Sequence, residues 1–141
     1  MQPVVIGSGI KLGETVQEAR YIRIYNDEVG ESHFDDLVVG LPSVDFAPPA
    51  PPLNFMRLFA AKECGFLGVP AEWAGDVPHP SPRRQLFCFL AGEFEVTASD
   101  GSYRSFRPGN VLLLEDTSGK GHSTRILGPQ PGLLVTVSLQ D

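Results

Sequence analysis

The chain has 141 residues, 42% hydrophobic and 20% charged, the balance of one domain large enough to bury a core. A formal net charge of -6 argues against nucleic acid or an anionic membrane surface as partner. No run approaches the ~18 apolar residues of a membrane span, and no basic start with an apolar stretch marks a secretory signal. The expectation is therefore a cytoplasmic protein.

The first residues contain VVIGSGIKLGET. Val4 to Ile6 reads as a strand, Gly7-Ser8-Gly9 as a phosphate loop, and Asp27 as an acid that would meet a ribose. Leu12, however, stands where the third glycine of that fingerprint belongs, and no convincing long helix follows residue 40. Residues 1–19 are better read as a weakly ordered N-terminal extension, with one domain over 20–141.

Tyr21-Ile22-Arg23-Ile24-Tyr25 alternates as a strand, and HFDDLVVGLP suggests a second, short extended piece. The run Ala47 to Pro52, APPAPP, cannot donate a ladder of hydrogen bonds and is expected as a strap over the surface. Beyond it the extended pieces come quickly: CGFLGVPAEW, QLFCFLAG, EFEVTAS, YRSF, NVLLLE, HSTRIL and LLVTVSL. In EFEVTAS, Phe94, Val96 and Ala98 share one face. QLFCFLAG is apolar on both faces, as befits a strand between the interior and a further layer. Asp100-Gly101 predicts a type I′ hairpin. Cys64 and Cys88 make no disulfide framework, and Cys88 is expected as a small buried hydrophobe. Many short strands at this spacing predict an all-β sandwich or barrel.

The order of these pieces resembles the cupin superfamily of jelly-roll barrels, over roughly residues 55–139. Its first motif spaces a glycine, two histidines, a glutamate and a final glycine. Counted back from Gly92, Gln85 stands at the glutamate, Ser81 at the second histidine and His79 at the first. In the second motif Pro108-Gly109 matches the turn before its strand, and Gly119-Lys120-Gly121-His122 the Gly-x-x-His element. Ile126 stands at its terminal asparagine. The resemblance implies a cupin-type jelly-roll barrel with a degenerate metal motif. It also makes a homodimer the default expectation.

By that resemblance His79, Gln85 and His122 would be the metal ligands. Two imidazoles and an amide oxygen suit manganese, iron, nickel, copper or zinc, weakly, because they bring no negative charge. His33 could supply a third imidazole from an earlier strand, or sit at the surface. Without an ion, the same residues would form the polar floor of a pocket. Strand alternation puts Phe87 and Phe89 on the side of Gln85, and Thr124 and Ile126 on the side of His122. Ser81 and Trp73 complete the expected pocket lining, Trp73 at its mouth. Arg83 and Arg84 are expected in solvent. Glu115-Asp116 is expected as a solvated turn rather than as a partner that orients His122.

Two functions remain open at this level, and no catalytic residue is assigned. In one, the barrel binds a small organic molecule and a divalent metal supports lyase, isomerase or oxygenase chemistry. In the other, the protein binds or senses a metabolite without metal and without catalysis. Fold alone does not choose between them.

Overall fold

The computed structural model describes residues 17–141. Gly7-Ser8-Gly9, weighed above as a phosphate loop and set aside, and most of the N-terminal extension lie outside the described residues. Gln17 to Ala19 belong to the first strand. The described residues contain no helix and form eleven strands. These are β1 (Gln17–Asn26), β2 (Ser32–Leu41), β3 (Ser43–Val44), β4 (Leu53–Asn54), β5 (Ala61–Val69) and β6 (Gln85–Ala91). They continue as β7 (Glu93–Ala98), β8 (Tyr103–Phe106), β9 (Val111–Glu115), β10 (His122–Leu127) and β11 (Gly132–Leu139).

A six-stranded sheet runs β2-β1-β9-β6-β11-β5, and a three-stranded sheet runs β10-β7-β8. Only β1 and β9 pair in parallel. One core lies between the sheets. Ile24, Phe89, Leu112, Leu114 and Leu134 come from the large sheet, and Phe94, Val96, Ala98 and Phe106 from the small one. The β7 alternation appears as read: Phe94, Val96 and Ala98 are buried, while the intervening residues are half-buried. Removing these apolar side chains from water is the main source of stability. The fold is an all-β jelly-roll barrel.

A second core lies on the outer face of the large sheet. Tyr21, Val39, Leu86, Leu113 and Leu139 meet Met56, Leu58 and Phe59 there. Strands β6 and β9 are thus apolar on both faces because each separates two cores: Phe87 and Leu112 face inward, Leu86 and Leu113 outward. Glu115, next on the outer face, accepts hydrogen bonds from Arg23 and Arg84. Its burial opposes ionisation, but the two guanidiniums outweigh it and hold the carboxyl below its ordinary range. Arg84 also lies over the Phe59 ring, so it is half-buried rather than in solvent as expected. Arg83 is exposed. Cys88 is half-buried, its thiol pushed up chiefly by that burial, and Cys64 is exposed.

Two local readings are corrected. APPAPP is no strap: it forms the exposed tip of a small hairpin between β3 and β4. A run of prolines fits a tip, where no ladder bonds are needed. The β7–β8 connection is a hairpin, but not a two-residue type I′ turn. Thr97 pairs with Tyr103, and Ala98 N–H donates to Ser102 O. Gly101 has φ 92°, whereas Asp100 keeps a negative φ and its carboxylate accepts from Ser102 N–H instead.

Candidate functional site

Between the sheets a cavity of about 340 Å³ remains unfilled. Its walls are largely apolar, from Phe87, Phe89, Phe94, Leu112, Leu114 and Leu134. The polar residues on it are His79, Ser81, Gln85, His122, Thr124 and Thr136. No Lys, Arg, Asp or Glu among the described residues lines it. Trp73 belongs to the lining and is 42% exposed, which places it at the opening.

The two histidines are brought together by main chain. His79 N–H donates to His122 O and His122 N–H to His79 O, both at 3.0 Å, in an isolated antiparallel bridge. This approach needs Gly121, since a Cβ there would lie 2.1 Å from the His79 carbonyl, and its φ is +71°. The ring centres stand 5.3 Å apart. His79 is exposed, and His122 is buried at 5%.

Each ring is anchored through Nδ1. His79 Nδ1–H donates to Val77 O at 2.9 Å, and His122 Nδ1–H to Asp116 Oδ2. In a neutral imidazole so anchored, Nε2 carries the lone pair. Asp116 is fully buried, contrary to the solvated turn expected for it, and its Oδ1 has no hydrogen-bond partner. The sequence signal was available only as an Asp six residues before a motif histidine. A carboxylate one residue past a strand reads equally well as a surface turn.

Ser81 is tied up as a connector. It is buried, its N–H donates to Asp116 O, and its hydroxyl donates to Arg83 O. Gln85 Nε2–H donates to the same hydroxyl at 3.1 Å, which leaves Gln85 Oε1 as an acceptor. The polar end therefore offers three acceptors, His79 Nε2, His122 Nε2 and Gln85 Oε1.

This donor set fits a divalent ion in part. Two imidazoles bound to one tetrahedral ion through nitrogens at about 2.0–2.1 Å would have ring centres about 5 Å apart, close to what is found. A buried carboxylate behind one imidazole is the usual support of a ligating histidine. Against this, no cluster of three or more His, Cys, Asp or Glu suited to a metal occurs among the described residues. The third donor is a neutral amide.

Of the expected pocket residues, Ser81, Phe87, Phe89, Thr124 and Trp73 border the cavity together with His79, Gln85 and His122. Ile126 does not. It shares a strand face with His122 and Thr124 but lies opposite Phe94 and packs on the core. The sequence reading missed Leu67 and Val69 on β5, Phe94 and Val96 on β7, Leu112 and Leu114 on β9 and Leu134 on β11. Their inward faces were legible as alternation, but not which of them meet empty space.

His33 is no ligand of this site. Its Nε2 contacts Asp27 Oδ2 at 2.7 Å and its Nδ1 contacts Asp100 Oδ2 at 3.0 Å. Those two contacts, Asp27 first, raise its pKa; the bond to His33 is the chief cause that lowers Asp27, whereas Asp100 is lowered chiefly by its bonds from Ser102 and less by His33. Asp27, weighed above as an acid for a ribose, is a partner of this histidine.

No protein-family model and no curated protein matches the chain. Solved structures similar to it include the Cnp3 cupin domain of Schizosaccharomyces pombe, at 18% identity and TM-score 0.44, covering 87% of this chain and 84% of that one. Another is a Salmonella typhimurium protein titled for ethanolamine utilization, protein Q. It shows 18% identity and TM-score 0.37, with 89% and 98% covered. The protein NMB1881 of Neisseria meningitidis has 17% identity and TM-score 0.39, with 55% and 72% covered. The all-β jelly roll itself stands on the strand order and on the core shared by the two sheets.

Proposed function

We propose that the protein binds a small organic molecule inside the barrel, its polar head beside His79, His122 and Gln85. The observation that carries this reading is the pair of anchored imidazoles at one end of an apolar cavity of about 340 Å³. That volume is within the range of small-molecule sites. A divalent transition metal would be held by the Nε2 atoms of His79 and His122 with Oε1 of Gln85. Such an ion, when bound, supplies a Lewis acid to a ligand oxygen, the basis of a lyase, isomerase or oxygenase activity. Asp116 holds the His122 ring in place, the bridge through Gly121 holds His79 beside it, and the apolar walls keep water from the bound molecule.

Elemental analysis of untagged protein, as purified and after incubation with manganese, iron, nickel, copper or zinc, tests the metal. About one ion per chain, lost in His79→Ala and His122→Ala, supports it; a His122→Ala variant with full occupancy overturns the ligand set.

A metal-free binding or sensing protein is the second reading. It is favoured by a lining that, among the described residues, holds no carboxylate, and by the amide of Gln85 already bonded to Ser81. No uptake of any of the five metals would select it.

A homodimer belongs to the same proposal. Strand β5 is a sheet edge exposed along nearly its whole length, with Phe66 at 78%, a surface suited to a second copy. Sedimentation equilibrium that gives a monomer mass would remove it.

A further inference from the structure

The distribution of polarity along the cavity narrows the ligand to one chemical class, an inference that rests on the cavity being a binding site as proposed above. Three properties decide it. The first is size. An apolar cavity of about 150 Å³ accommodates one benzene, so the 340 Å³ here corresponds to about twelve non-hydrogen atoms, a bicyclic skeleton. The second is charge. No Lys, Arg, Asp or Glu among the described residues lines the space, and the Asp116 carboxylate lies behind His122. An anion brought in would lose its hydration and gain no partner.

The third property is the polarity of the head site. His79 Nε2, His122 Nε2 and Gln85 Oε1 accept, the two imidazoles because each Nδ1–H already donates elsewhere, while the second Gln85 N–H and the Thr124 hydroxyl are the donors beside them. Thr136 directs its hydroxyl at Gly65 O. An ether or ketone leaves both imidazole nitrogens without a donor, whereas a hydroxyl donates to one of them and still accepts from its neighbours. We infer that the ligand is an uncharged bicyclic or similarly compact alcohol or phenol. Its hydrocarbon body lies between Phe87, Phe94 and Leu112, and its hydroxyl points to the two imidazoles.

Trp73 is the sole tryptophan of the chain and belongs to the cavity lining, so its emission reports occupancy directly. Titrations would use optically silent saturated probes, with EDTA present so that the ring nitrogens meet the probe themselves. The probes are decahydro-2-naphthol, its methyl ether, and decahydro-2-naphthoate as the anion of matched shape. The alcohol is expected to change Trp73 emission saturably, with the ether and the carboxylate each at least about tenfold weaker. A carboxylate that binds as tightly as the alcohol overturns the uncharged class and leaves the binding site standing. An ether equal to the alcohol overturns the donor head in the same way. Silence with all three probes, in protein whose thermal unfolding is cooperative, overturns both this inference and the binding function it rests on.

Discussion

His122 and His33 both sit against aspartates, and the difference between them separates a candidate site from a structural clamp. The ring of His122 is buried, bonded to Asp116 through one nitrogen, and the residue lines the cavity with its other nitrogen unbonded among the described residues. His33 is at the surface with both nitrogens taken, by Asp27 from the β1–β2 turn and Asp100 from the β7–β8 hairpin. A histidine with one anchored and one unused nitrogen can meet a ligand. One with two carboxylate partners links two loops.

The largest effect should come from the glycines that shape the two ends. Gly121→Ala places a Cβ 2.1 Å from the His79 main chain at φ +71°, so a loss of about 3 kcal/mol is expected by urea unfolding, the upper end for a strained position. The bridge that sets the two imidazoles side by side would go with it. Gly101→Ala, at φ +92° in the hairpin beside His33, meets nothing within 4 Å and should cost only about 1 kcal/mol. Equal losses would mean that the His79–His122 approach is not constrained as described.

Asp116→Asn comes next. The variant keeps the volume of a fully buried side chain but weakens its bond to His122, for about 1–3 kcal/mol in stability. Affinity for the bicyclic alcohol should fall about tenfold, the lower range for loss of a residue that orients a ligating imidazole. An unchanged affinity would show that Asp116 supports the fold and not the site.

Much of this contrast was out of reach of sequence reading, for a definite reason. Strands β6, β7 and β10 were legible because side-chain period 2 is a local property. The pairing of His33 with Asp100 spans 67 residues, and the fate of Arg84 depends on Glu115, 31 residues away. Local pattern carries no information about partners at such separations. His79 and His122 could be brought together only through the spacing of the cupin motifs. The burial of Asp116 had no local sign.

The smallest effect is the most specific to the clamp. The raised pKa of His33 means that its contribution is full below its ordinary value of 6.5 and fades as pH rises through the higher folded value. Asp27 and Asp100 act oppositely: their pKa values are lowered, so their contribution is present above the ordinary 3.8 and fades as pH falls through the folded values. The clamp is therefore strongest between those limits. His33→Gln should lower the unfolding midpoint most near pH 5–6 and progressively less toward pH 9. It should leave binding of the bicyclic alcohol unchanged. A loss of binding in His33→Gln would erase the distinction between the two histidines.

The amino-acid sequence by itself determined the all-β class, the faces of most strands and the composition of the interior, because apolar alternation and turn residues act over a few neighbours. It also placed His79, Gln85 and His122 at motif positions. Tertiary structure alone decided that Ser81 would serve as a connector, that Asp116 would be buried behind His122, and that His33 would be spent on two aspartates. It alone decided that Ile126 would pack on the core while Leu112, Leu114 and Leu134 bordered open space. Those outcomes depend on which strands pair and on how far two sheets stand apart, quantities set by the closure of the whole barrel.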